Sequence, residues 1–424
     1  MIKRLSTVVQ SNSKVLKNMT WLTVLQFANY LIPLFVIPYI VRVLGAEMFG
    51  KITYAQNIIS YFTLLVNFGF EYSATRQIAV NKGNKNAIKE IFWSVIIQKL
   101  ILLIISFLGL LILYLSFYKV HNDFVLYLFV FLMNVGIVLF PTWFFQGIED
   151  MGKMAIFNVI IKGTGLLLTV FFVRYKADYL LYPFLTSLAY FVCGFISIIY
   201  VVKTHGINFT LPNIKLHKKI FAESSPIFLN NLFVSGYTIA NMTILGFYVS
   251  DIELGYYSGA FKIIMAILMV TSTPITMSIF PTVSRKFSES SKEGIIFFKK
   301  IMIYLAIISV VVSSLTFFSS KLLVNLILGE QFVQSINILK LFSTLPVLVI
   351  FASLFTVQGV YGAGLQKYAP WIGLSLGLFC VIFDFITIPL WGIYGAAWGW
   401  IISEFFEIII AGVLFYFGIK KMKI

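Results

Sequence analysis

Apolar segments long enough to cross a bilayer fill nearly the whole of this 424-residue chain, and short turns join each to the next. A water-soluble fold needs enough polar surface to cover its core. With 60% hydrophobic residues, 11% charged residues and a mean hydropathy of +0.95, the chain lies far from soluble domains, in which roughly a quarter of residues are charged. Windows of about 20 apolar residues predict spans over 19–41, 52–70, 91–117, 123–145, 154–174, 179–202, 224–249, 256–281, 301–318, 336–360, 370–390 and 393–418. No small-residue cleavage site follows the first apolar segment, so it reads as a retained span and not as a signal peptide.

Lysine and arginine set the expected orientation. The tails and even-numbered turns hold 22 of them, and the opposite turns hold six, Arg42, Lys51, Lys119, Arg174, Lys176 and Lys321. Cytoplasmic loops carry such an excess, which places both termini in the cytoplasm. The net charge of +16 is then largely topology and contact with anionic lipid, with no nucleic-acid partner implied.

Other inventories exclude whole classes. Cys193 and Cys380 lie inside separate spans and offer neither a disulfide framework nor metal-ligand spacing. His121, His205 and His217 are in loops, and no hydrolase triad or glycine-rich phosphate loop is visible. Catalytic residues, resident metal and resident cofactor are therefore all expected to be absent. The longest loop, about 20 residues, is too short for a nucleotide-binding domain. A transporter of this build would draw on an ion gradient, the membrane potential or the substrate gradient.

The halves of the chain repeat one another. Phe49-Gly50 with Tyr54-Ala55 returns 205 residues later as Leu254-Gly255 with Gly259-Ala260, and Gln146-Gly147-Ile148 returns as Gln358-Gly359-Val360. Six spans per half give repeats of the same orientation in the membrane. The expected fold is all-α integral membrane, with twelve transmembrane helices in two pseudo-symmetric six-helix bundles around a central cavity. The bundles would be residues 1–202 and 224–424, joined by a cytoplasmic linker, 203–223.

The order and spacing of three motifs resemble a known family. Leu44-Gly45-Ala46-Glu47-Met48-Phe49-Gly50, Pro141-Thr142-Trp143-Phe144-Phe145-Gln146-Gly147 and Gly392-Ile393-Tyr394-Gly395-Ala396-Ala397 are similar to bacterial polysaccharide-repeat flippases (O-antigen, Wzx-type). That family belongs to the multidrug/oligosaccharidyl-lipid/polysaccharide exporter superfamily. The resemblance covers the whole chain, including Leu328-Gly329-Glu330-Gln331-Phe332. It implies a multi-pass protein of the bacterial plasma membrane that is not an enzyme. Its activity would be to move undecaprenyl-pyrophosphate-linked oligosaccharide from the cytoplasmic to the outer leaflet. Membrane lipids, and possible polymerase and chain-length machinery, would be its partners.

Cargo with an anionic pyrophosphate and a polar glycan needs cations and hydrogen-bonding groups along its path. Gln56, Ser60, Thr63 and Asn67, with Asn57 beside them, recur at helical spacing in the second span; Asn231, Ser235, Thr238 and Asn241 do so in the seventh, and Gln26 and Asn29 mark the first. Such residues face away from lipid, either toward cargo or toward interhelical hydrogen bonds. Lys99, Lys162 and Lys262 lie well inside spans and Arg42 at a span end; each binds anionic cargo or snorkels to the interface. Lys262 resembles the position of a cavity arginine in the related peptidoglycan-precursor flippases. Asp384, Glu404 and Glu407 are the candidate coupling acids, for H⁺ or Na⁺, or else partners of a buried lysine. Asp384 is similar to a carboxylate in the sodium site of those flippases, although the seventh span here has no interior acid to complete such a site.

Two other classes fit less well. A cation-coupled multidrug exporter of the same superfamily would have an acid-rich cavity, whereas the N-terminal half has lysines and no acid deep in a span. An integral-membrane polymerase or glycosyltransferase would need a sizeable external loop with charged residues, and the outer turns here are short.

Overall fold

The computed structural model describes the backbone of residues 2–365 and 369–422, with side chains except at residues 2–19, 22–24, 26–31, 33–34, 234, 237, 273, 369–370 and 421–422. Among the described residues all regular structure is helical. The first half contains α1 (Ile2–Asn67), α2 (Phe70–Val80), α3 (Lys85–Ser116), α4 (Tyr118–Asn122), α5 (Phe124–Leu139), α6 (Thr142–Gly147), α7 (Met151–Phe172) and α8 (Leu181–His205). The second contains α9 (Ile214–Tyr248), α10 (Asp251–Glu289), α11 (Ser291–Ile327), α12 (Ser335–Phe342), α13 (Leu345–Ser353), α14 (Ala369–Trp391) and α15 (Ile393–Met422). Nine helical stretches among the described residues are long and apolar enough to cross a membrane. The expected span 19–41 falls within α1, the span 52–70 overruns its end at Asn67, and the span 224–249 overruns the end of α9 at Tyr248 by one residue.

Several expected boundaries shift for identifiable reasons. The turn expected between the first two spans is one non-helical residue, Gly45 at φ 74° and ψ 175°, a conformation that glycine adopts without a Cβ clash. The expected span 336–360 breaks between α12 and α13, where Pro346 occupies the first turn of α13 and has no N–H to continue the helix. It then ends in a π-helix over Leu354–Tyr361. Wider π turns are frequent at functional positions.

The chain forms two compact units, residues 1–43 with 55–232 and residues 44–54 with 233–424. In the first, Phe92, Trp143, Phe144 and Phe145, all at most 1% exposed, build an aromatic core with Phe140, Phe157 and Tyr200. The segment after α8 folds onto this unit. Phe68 stacks between Phe221 at 4.4 Å and Phe228 at 4.7 Å, Gln77 donates to Glu223 at 2.6 Å, and Trp93 donates to the Asn208 carbonyl at 3.0 Å. His217 Nδ1 lies 2.9 Å from Ser94 Oγ; burial holds this imidazole below the usual histidine value, which favours its neutral form at neutral pH.

In the second unit the core is Val283, Phe298, Ile350, Leu354 and Phe415, drawn from α10, α11, α13, the π-helix and α15. The segment 44–54 crosses the start of α10 at close range. A Cβ on Gly50 would collide with the Asp251 carbonyl, and one on Gly255 with the Ala46 carbonyl. Beside them Lys51 and Asp251 approach to 4.0 Å.

Candidate functional site

Four helices of the second unit converge on Asp384. It lies on α14 with no exposed surface, and its Oδ2 accepts from Asn241 Nδ2 of α9 at 3.0 Å. Cys380, one turn earlier, has its Sγ 3.6 Å from the same oxygen. Asn241 is fully engaged: Nδ2 also donates to the Ala396 carbonyl of α15 at 3.1 Å, and Oδ1 accepts from the Tyr257 hydroxyl of α10 at 2.8 Å. That pattern fixes the amide orientation, because only the NH₂ side donates. Asp384 Oδ1 has no hydrogen-bond partner among the described residues. It points at Gly399 of α15, where a Cβ would collide with it.

The arrangement holds one acid by neutral groups, with no cation in contact. A buried carboxylate without a counter-charge is costly to keep ionised, so a proton or a small cation at the free oxygen would relieve it.

A second acidic pair lies farther along α15. Glu404 accepts from Trp400 Nε1 at 3.0 Å, and Glu407 accepts from Thr356 Oγ1 of the π-helix at 2.7 Å. Also in the π-helix, Gln358 donates to the Thr276 carbonyl of α10 at 2.9 Å. Its Oε1 is buried without a partner. Lys262 sits on α10, exposed, and no salt bridge joins it to Asp384, Glu404 or Glu407. Its neighbour Phe261 packs on Trp400, with ring centroids 5.2 Å apart.

In the first unit Lys99 is completely buried, and its ammonium donates to Asn67 Oδ1 at 3.2 Å. Thr63 donates to Asn134 of α5 at 2.7 Å, and Gln56 is hydrogen-bonded to Tyr182 of α8. This part of the polar stripe on α1 therefore binds helices of its own unit. Asn57 and Ser60 are partly buried, and Ser60 Oγ donates back to the Asn57 carbonyl. Lys162 and Asn231 are also partly buried, and Arg42 is exposed. In the second unit Ser235 is partly buried and Thr238 exposed, with Thr238 donating to the Ser235 carbonyl at 2.8 Å. The side chains of Gln26 and Asn29 lie outside the described residues.

Of the residues singled out from sequence, the structure joins Asn241 to Asp384 and Lys99 to Asn67 through their side chains, and Ser60 to Asn57 and Thr238 to Ser235 within one helical turn. Tyr257 and Thr356 were not anticipated, and Gln358 was marked only as part of the repeat. Tyr257 reaches Asn241 from another helix, a contact with no sequence signal, whereas Cys380–Asp384 and Trp400–Glu404 are legible as four-residue spacings.

Comparison with known proteins gives this geometry its context. Residues 15–287 match the family model described as polysaccharide biosynthesis protein. A protein of Shigella dysenteriae named "Putative O-antigen transporter" is 31% identical over 403 residues, 93% of this chain and 97% of its own length. One of the same name from Escherichia coli (strain K12) is 29% identical over 383 residues, 90% of this chain and 92% of its own. Among solved structures, the lipid II flippase MurJ in an inward closed conformation superposes with a TM-score of 0.71, at 15% identity, over 95% of this chain and 87% of that one. Apolar helices and full-length relatives named transporters together make this a multi-pass transporter of the bacterial inner membrane and not an enzyme. The chain belongs to the polysaccharide biosynthesis protein family.

Proposed function

We propose that the chain carries an undecaprenyl-pyrophosphate-linked oligosaccharide repeat unit from the cytoplasmic to the outer leaflet by alternating access. Twelve spans in two pseudo-symmetric bundles, with both termini cytoplasmic, form the transporter in this reading. Its near-full-length likeness to proteins named putative O-antigen transporters carries the proposal. The distribution of intramembrane charge supports it: Lys99 and Lys162 in the first unit and Lys262 in the second suit an anionic cargo better than a cationic drug. Lys262 is exposed and makes no salt bridge with Asp384, Glu404 or Glu407, as a contact for the pyrophosphate needs.

Asp384 is assigned the coupling step. Its free oxygen takes the ion, and Asn241, held by Tyr257 and the Ala396 carbonyl, positions the carboxylate. Glu404 and Glu407 are the secondary acids, and either H⁺ or Na⁺ satisfies this chemistry. A polysaccharide polymerase and chain-length machinery would receive the product. Native mass spectrometry of mildly purified protein tests the cargo: a co-purifying prenyl-pyrophosphate sugar is expected, and retention of cationic amphiphiles in its place would support drug export.

A further inference from the structure

A groove in the second unit lies apart from every residue assigned above. It has a volume of about 720 Å³, and its walls come from α11, the α12–α13 junction and α15, among them Ser313, Ser314, Phe317, Thr344, Leu348 and Trp398. Its lining includes none of Asn241, Lys262, Asp384, Glu404 or Glu407, so a lipid of the surrounding membrane can occupy it without displacing any of them.

We propose that this groove holds one anionic glycerophospholipid, with its phosphate at Lys340 and an acyl chain along the apolar wall. Three observations carry the proposal. The Lys340 ammonium lies 5.8 Å from the centroid of the Phe317 ring, over one wall of the groove. Lys340 is exposed, and no ion pair involves it among the described residues. Lys321, also exposed, follows Phe317 by one helical turn and so adds a second cation on the same face. Cations at a membrane edge attract anionic headgroups.

The polar layers then match the layers of the lipid. Residues 328–334 join α11 to α12, so the two helices run in opposite directions. Going inward from Lys340 along α12 into α13, Thr344 comes one turn deeper; going inward from Phe317 along α11, Ser313 and Ser314 come about one turn deeper, roughly 5 Å. A glycerophospholipid has its phosphate outermost, its ester carbonyls somewhat deeper and its chains below. Ser314, exposed in the groove wall, carries a hydroxyl at the depth of an ester carbonyl. Trp398, exposed, also lines the groove, and indole is favoured at membrane interfaces. Phe317 and Leu348 supply the apolar wall for the chain.

The test uses full-length protein in mild detergent and native mass spectrometry, with phosphatidylglycerol and phosphatidylcholine of identical chains added in equal amounts. Wild type is expected to retain phosphatidylglycerol about fivefold better, as one membrane-edge lysine contributes. Lys340→Gln should bring the ratio near one and Lys340→Arg should keep it. Ser314→Trp, which fills the groove, should lower retention of both lipids. Equal retention by wild type, or an unchanged preference in Lys340→Gln, overturns the proposal. So does displacement of phosphatidylglycerol by equimolar polyprenyl phosphate, since the occupant would then be the carrier lipid. Binding is read without transport, so the result stands whatever the cargo proves to be.

Discussion

Thr53 Oγ1 donates to Ser258 Oγ at 3.0 Å, and the two residues are 205 positions apart. That separation is also the offset at which Phe49-Gly50 repeats as Leu254-Gly255. Gly50 meets Asp251 and Gly255, and Gly255 meets Ala46, while Ala46, Gly50 and Thr53 shifted by 205 become Asp251, Gly255 and Ser258. Each residue thus touches the counterpart of its partner, the arrangement expected where repeated segments cross about a local twofold. The internal repeat read from the sequence predicts contacts of this kind.

Locking this crossing tests whether it moves. In a background lacking Cys193 and Cys380, Thr53→Cys with Ser258→Cys is expected to cross-link on mild oxidation, because the two hydroxyls already touch. If the crossing opens in each cycle, polysaccharide export falls to background when oxidised and recovers on reduction. Full cross-linking with unchanged export would show that it stays closed throughout.

Asp384 offers a separation of charge from packing. Asp384→Asn keeps the shape and the acceptor for Asn241 but cannot ionise; export should be lost with abundance unchanged. Asp384→Ala strands the Asn241 amide and should cost about 1–3 kcal/mol of stability, seen as a lower thermal midpoint. Export by Asp384→Asn at wild-type rates would remove Asp384 from the coupling step.

Much of this was legible in the chain because a bilayer makes simple demands. Span-length apolar runs and alternating basic turns announced an all-helical membrane protein, and they match nine helices among the described residues. Helix breaks at Gly45 and Pro346 were less legible: the first replaced a turn with a single residue, and the second split one hydrophobic run. Sequence marked Asn241 and Asp384 separately, as polar residues that lipid would reject. That they share one hydrogen bond, with Tyr257 orienting the amide, depends on how α9, α10 and α14 pack. Periodicity shows which face a residue occupies and is silent about the facing helix. Thr63 and Asn67 illustrate the same limit, since their partners on α5 and α3 decide between a cargo wall and packing.

Lys262 carries the anion-contact proposal. Lys262→Arg should preserve export, whereas Lys262→Ala and Lys262→Glu should abolish it with normal protein abundance, measured by quantitative immunoblot of membranes. Because Lys262 makes no salt bridge with Asp384, Glu404 or Glu407, its removal strands no buried carboxylate, and stability should be unchanged. Normal export by Lys262→Ala would withdraw the contact.

Orientation follows from the positive-charge bias and is open to chemical labelling. Single cysteines placed at Lys82 and Lys292 in the same cysteine-free background should be shielded from an impermeant thiol reagent in intact cells. A cysteine at Asp251 should react. Labelling at Lys82 would reverse the topology, and with it the direction of transport.

Translocation by the purified protein is the most direct measurement. Proteoliposomes containing the chain and a fluorescent polyprenyl-pyrophosphate oligosaccharide in one leaflet would be challenged from the opposite side with a glycan-specific lectin or glycosidase. Time-dependent exposure of the glycan, absent from empty liposomes and lost in Asp384→Asn and Lys262→Ala, is the expected result. If the glycan stays protected while the same proteoliposomes move a cationic dye, the chain is a drug exporter and the flippase account fails.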